Sequence, residues 1–230
     1  MADALRRKRK RSFDLLDGLA QSIFFEMFGD PIENPAQFPV TSLESVVSHS
    51  RKITYGILKP GPDQVDGVPY VRVVDIQRGD VNVARLKRTT TAIASEYKRS
   101  ALRSGDLLIS IRGHVGRMAI APAACDGANI TQDTARLAIA SASTEFVKAV
   151  LETGSAKHWM AQRTKGAAVQ GINLGDLKVF PLFMPPRRLQ DEFAHKVMAT
   201  KRTQHGNAAQ RASLDAMFFS LQHRAFTGQL

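Results

Sequence analysis

Leu16-Asp17-Gly18-Leu19-Ala20-Gln21-Ser22-Ile23, running on to Phe28, is repeated near the other end of the chain as Leu214-Asp215-Ala216-Met217-Phe218-Phe219-Ser220-Leu221, closing at Phe226. The offset is a constant 198 residues. That distance is far too long for a solenoid period, so one helical element is used twice with a globular insert between. In the first copy Phe13, Leu16, Ala20, Ile23 and Met27 follow one another at spacings of 3, 4, 3 and 4, a heptad seam that Leu19 and Phe28 widen. Gly29-Asp30-Pro31 stops it, since glycine suits the position after a helix and proline cannot continue one. The second copy closes a predicted helix from Arg187 to Phe226, roughly 60 Å long. Its seam is apolar at Leu189, Phe193 and Val197 and again at Leu214, Phe218, Leu221 and Ala225. Such a helix requires a partner, and the first helix carries the matching stripe. Antiparallel pairing of the two as a coiled coil is expected.

Composition sets the class. Hydrophobic content of 43% and charged content of 23% are ordinary for a globular protein. The single cysteine, Cys125, excludes an intrachain disulfide and fits a reducing cytoplasm. No apolar run approaches the roughly 18 residues a membrane span needs. The basic run 6–11 could open a signal peptide, but Asp14 and Asp17 interrupt what would follow. The net charge of +11 is uneven. Residues 13–50 hold no Lys or Arg, whereas 51–117 hold thirteen basic against six acidic residues. A basic block inside a folded domain is the footprint of a polyanion binder.

The insert reads as mixed α/β. Val68–Val74 is β-rich, and Gln77-Arg78-Gly79-Asp80 is a turn before Val81-Asn82-Val83. A short helix is expected over 92–102, an apolar strand over 107–111, a tight glycine loop over 112–116 and strands over 117–121 and 135–140. One helix is expected from Thr144 to Thr164. The organisation is therefore a helix over 1–30, a domain over 35–186 and a long helix over 187–230.

These words, in this order, resemble a family. Met27-Phe28-Gly29-Asp30-Pro31 follows the first helix, and Pro69-Tyr70-Val71-Arg72-Val73-Val74-Asp75-Ile76 sits in the β-rich part. Leu102-Arg103-Ser104-Gly105-Asp106-Leu107-Leu108-Ile109-Ser110 precedes Gly113 and Gly116, and the stretch from Gly166 to Leu177 holds Gln170 and Asn173. Pro185-Pro186 and Gln190 open the long helix, which ends with Ala225-Phe226-Thr227-Gly228. Together they resemble the specificity (S) subunit of type I restriction–modification systems. The resemblance covers one target-recognition domain with its flanking helices. It implies a non-catalytic subunit that reads one half of a bipartite site on double-stranded DNA. It also implies docking of methyltransferase (M) subunits through the helices and, through them, of the restriction (R) subunit. S subunits usually carry two recognition domains. The chain is thus expected to be either a half-sized subunit that forms a homodimer through its helices or part of a longer one.

For DNA contact, the candidates are side chains able to reach bases or phosphates from loops. Arg51, Lys52, Thr54 and Tyr55 precede Gly56, Arg72 and Arg78 flank a strand and a turn, and Arg112, His114 and Arg117 surround two glycines. Lys165, Gln170 and Asn173 occupy the loop before the last strand. Arginine pairs bidentately with guanine and Gln or Asn with adenine, while lysine more often holds phosphate. A scaffold whose insert reads no DNA is an alternative, which the basic block opposes. A nuclease is another, because Pro62-Asp63 and Glu96-Tyr97-Lys98 echo a PD-ExK metal site. Asp63, however, falls in a Pro/Gly loop and Glu96 on a surface helix. Histidines and Cys125 never fall at zinc spacing, and no nucleotide-binding loop is present. Neither catalytic residues, nor a metal, nor a cofactor is expected.

Overall fold

A computed structural model describes residues 18–166 and 169–200. The seam positions Phe13, Leu16, Leu214, Phe218, Leu221 and Ala225 lie outside them.

The first helix, α1, covers 18–28. Gly29, with φ +74°, closes it by donating its N–H to the Phe25 carbonyl at 2.9 Å. Its buried line is Phe24 and Phe28, with Ala20, Ile23 and Met27 half-buried beside them and Leu19 exposed. The stripe is therefore centred one residue beyond the expected seam. The reason is aromatic packing: the Phe24 ring lies 5.7 Å from Phe193, 6.1 Å from Phe146 and 6.1 Å from Phe183. Phe193 belongs to the last helix, α6, described over 187–200, and Phe193 and Val197 face the core as expected. Gln190 is also buried there; its amide takes the Ser143 N–H at 2.9 Å and donates to the Pro185 carbonyl at 2.9 Å.

Between the helices the chain enters on β1 (Val40–Ser42) and leaves on β11 (Pro181–Phe183), which pair antiparallel with Val40 opposite Phe183. A four-stranded antiparallel sheet forms the centre, in the order β2 (Thr54–Tyr55), β10 (Thr134–Leu137), β7 (Leu107–Ser110), β8 (Met118–Ile120). Side chains alternate across it. Leu107, Ile109, Ala135, Leu137 and Met118 face the core shared with α1, α6, α3 (Thr144–Leu151), α4 (Gly154–Gln162) and α5 (Leu174–Lys178). Leu108 and Ala119 face a second core with Val71, Ile130 and Cys125. That side is covered by a three-stranded sheet in the order β6 (Lys87–Thr89), β3 (Val68–Val71), β9 (Asn129–Ile130). Covered on both faces, β7 has no exposed residue, which is why it reads as a continuous apolar run. The hairpin of β4 (Ile76–Gln77) and β5 (Asp80–Val81) turns at Arg78-Gly79 with φ of 52° and 80°.

Three local expectations are corrected. The single helix expected over 144–164 is two, because Thr153 accepts the Ala156 N–H at 3.2 Å and restarts the chain as an N-cap. The strand expected through Val74 ends at Val71, because the Asp75 carboxylate captures both the Arg72 N–H at 3.0 Å and its guanidinium at 2.8 Å. The helix expected over 92–102 is α2 (Thr91–Glu96) followed by a single 3-10 turn, Lys98–Ser100. No helix among the described residues is long and apolar enough to cross a membrane.

Candidate nucleic-acid interface

The register of the central sheet gathers several loops at one end. Ser110 lies opposite Thr134, so the chain beyond β7 and the chain before β10 emerge together. Gly56 follows β2 at the same level, and Arg117 precedes β8 there. Ser110 ties the turn between β7 and β8 to itself: its N–H donates to the Arg117 carbonyl, its hydroxyl donates to the His114 carbonyl and takes the Arg117 N–H at 2.8 Å. Gly113 and Gly116, at φ of +70° and +90°, make this turn in a conformation that other residues resist.

A second loop is laced onto the first. Gly113 donates to the Gln170 carbonyl at 2.9 Å, Arg112 bridges to Gly171, and Lys165 and Gly171 exchange backbone hydrogen bonds at 2.8 and 2.9 Å. Arg112, His114, Arg117, Lys165 and Gln170 are thereby brought to one end of the sheet, all exposed. The Arg112 guanidinium is 3.4 Å from the Gln132 side-chain oxygen, and Tyr55 is exposed on the edge strand of the same sheet. This loop end also borders an open cleft of about 390 Å³ between the two loops and α4, lined by Gly113, Val115, Lys157, Met160, Ala161, Thr164 and Gln170.

The other expected contact residues are placed differently. Arg51 sits at the far end of the sheet, beside Asp106 at the start of β7. It clamps that buried carboxylate bidentately at 2.7 and 2.6 Å and donates to the Ala101 carbonyl. Lys52 beside it is exposed. Thr54 is half-buried and donates to the Tyr55 carbonyl at 3.1 Å. Arg72 is engaged by Asp75, a hydrogen bond that raises the guanidinium pKa above its usual value. Arg78 is exposed at the hairpin tip. Asn173 is the N-cap of α5, taking the Asp176 N–H at 2.8 Å. Of the nuclease candidates, Asp63 accepts the Arg88 N–H at 2.8 Å, and Glu96 is exposed at the end of α2.

Two residues escaped the sequence reading. Arg136 is only 2% exposed and donates to the carbonyls of Arg51, Lys52 and Arg99 at 3.0, 3.3 and 2.7 Å. Burial, then the neighbouring Arg51 charge, lowers its pKa. Alternation along Thr134-Ala135-Arg136-Leu137 gave a signal for a polar face; only the second sheet turns that face inward. Lys157 had no signal beyond its charge. Trp159, beside it in sequence, stands edge-on to Phe180 at 5.0 Å with the Arg163 guanidinium 3.7 Å above its ring.

The chain is thus a mixed α/β domain with a basic, glycine-turned loop end, and its fold recurs in solved proteins. The chain is 30% identical, over a 211-residue alignment, to the specificity subunit of the type I restriction enzyme EcoBI from Escherichia coli, covering 85% of this chain and 42% of that one. Its fold is shared with the HsdS subunit of Thermoanaerobacter tengcongensis, at a TM-score of 0.53 and 23% identity over 100% of this chain and 55% of that one. It is shared also with a chain of a type I R-M system solved for its complex assembly and conformational transition, at 0.61 and 20% over 99% and 56%. The type I S subunit of M. genitalium gives 0.54 and 14% over 83% and 46%. No family model matches the chain. The chain is thus similar to type I specificity subunits, and it spans less than half the length of that curated relative.

Proposed function

We propose that the chain is a non-catalytic specificity module of a type I restriction–modification complex. It binds double-stranded DNA sequence-specifically and reads one half of a bipartite site. The observation that carries this reading is the laced pair of loops presenting Arg112, His114, Arg117, Lys165 and Gln170 at one end of the sheet. Such a set combines guanine-pairing, adenine-pairing and phosphate-holding side chains. The likeness to a specificity subunit over 85% of the chain supports the same role. The flanking helices pair antiparallel, dock M subunits and through them the R subunit, and associate with a second copy in the cytoplasm.

The test is binding of the full chain, with and without an M subunit, to a pool of duplexes, followed by selection of the bound fraction. Enrichment of a short motif is expected, with affinity falling steeply with salt. Changing Arg112 and Arg117 together to Ala should abolish the enrichment. A pool that stays random would defeat the reading, as would DNA cleavage lost in Asp63→Ala.

A further inference from the structure

The cleft beside the laced loops has a composition that the reading above does not use. Its lining mixes the apolar side chains of Val115, Met160 and Ala161 with the polar ones of Thr164, Lys157 and Gln170, and Lys157 and Gln170 are exposed at its rim. The lining includes no carboxylate and no aromatic ring. Lys157 is exposed and, among the described residues, forms no ion pair, whereas Lys148 on the preceding helix is paired with Glu152 at 2.8 Å. A flipped base would need a stacking platform, and the one tryptophan of this helix is already engaged by Phe180 and Arg163. A sugar–phosphate strand needs the opposite: an apolar surface for deoxyribose, a cation for phosphate and no acid nearby. The cleft provides all three.

We infer that this cleft seats one strand of the DNA backbone and that Lys157 on α4 holds a phosphate there, while Gln170 on the shared rim faces the bases. The inference rests on the DNA-binding reading and divides its labour. Two rim residues of one cleft act differently, one on affinity for any sequence and one on choice among sequences. The backbone of Gln170 is fixed by the Gly113 N–H. A strand lying in the cleft would therefore set the distance from which the Gln170 amide reaches a base edge.

The experiment compares the full chain with Lys157→Gln, Lys157→Arg and Gln170→Ala on two probes, a duplex carrying the selected motif and one of random sequence, across a salt series. Lys157→Gln is expected to weaken both probes by the same factor and to reduce the steepness of the log–log salt slope by about 0.9, the loss of one phosphate contact. Lys157→Arg should restore the slope. Gln170→Ala should leave the slope alone and narrow the ratio between the probes. An unchanged slope in Lys157→Gln overturns the assignment, and so does a changed probe ratio, which would make Lys157 a base reader. An unmutated chain with no affinity for either probe even with an M subunit present would instead defeat the DNA-binding reading itself.

Discussion

At the scale of single residues, charge alone was a poor guide to role. Arg51 and Arg112 look alike in the sequence, each a cation near a glycine. Arg51 is spent inside, on a carboxylate only 4% exposed that also takes the Arg103 N–H at 2.8 Å. Removing one partner of a buried pair strands the other, at a cost of about 3 kcal/mol. Arg51→Ala is thus expected to lower the urea midpoint markedly, whereas Arg112→Ala should leave it unchanged and act on DNA affinity alone. Equal urea midpoints for the two variants would contradict this division. Nothing in the local sequence distinguishes the two arginines, because the partner, Asp106, lies 55 residues away. Cys125 gives a second expectation. It is fully buried, and burial raises its thiol pKa. In the unfolded chain the thiol ionises at about pH 8.5, and in the folded chain it does so only at higher pH. The contribution of this group is therefore present below that pH and lost as pH rises through the folded value. Urea midpoints should decline above about pH 8.5 in the parent and less steeply in Cys125→Ala. A thiol reagent should label the native protein slowly at pH 8 and rapidly in urea.

At the scale of elements, what was legible is what depends on short spacing. The apolar run of β7, the turn at Arg78-Gly79 and the glycine loop of 112–116 stand where the sequence puts them. The break between α3 and α4 was not legible, since a threonine in a helical pattern can cap or continue, and tertiary packing decides. The orientation of β10 was hidden for a related reason: alternating polar residues signal a solvent face unless another layer covers them, and here β3 and β9 do. That layer also explains Gly56. A methyl group at this position would lie 1.9 Å from the Ile130 carbonyl oxygen, so the chain after β2 can approach β9 only without a side chain. The contact is backbone against backbone and cannot relax by rotating a side chain. Gly56→Ala is expected to destabilise the fold by about 2–3 kcal/mol, in the range of overpacking changes. It should also disorder the Tyr55 edge next to the loop end. The check is amide exchange at Ile57, which donates to the Ile130 carbonyl at 2.8 Å and should lose its protection.

At the scale of the whole molecule, the repeat that opens the sequence predicted two helices framing an insert, and the described parts of both helices do meet. Their contact differs from the heptad seam read from the sequence. Phe24 and Phe28 of α1, Phe193 of α6, Phe146 of α3 and Phe183 of β11 form one aromatic cluster with ring centroids 5.3–6.1 Å apart. Four elements far apart in the chain converge on it, so the helices are joined to the root of the domain as well as to each other. That junction is invisible to periodicity, because Phe146 and Phe183 belong to the insert and carry no helical register with Phe24. Phe24 is the centre of the cluster, fully buried and in ring contact with five other phenylalanines. Truncating it removes those contacts and leaves a cavity, with an expected loss of about 3–5 kcal/mol and roughly 10 °C in Tm. Phe24→Leu, which keeps most of the volume, should lose less than half as much. Limited proteolysis separates the junction from general instability. At temperatures where far-UV dichroism still reports a folded domain, Phe24→Ala should be cleaved first within 18–38, freeing a resistant fragment that retains the Lys165 loop. Cleavage that instead begins within the central sheet would show that the cluster stabilises the whole domain and has no separate role in docking α1.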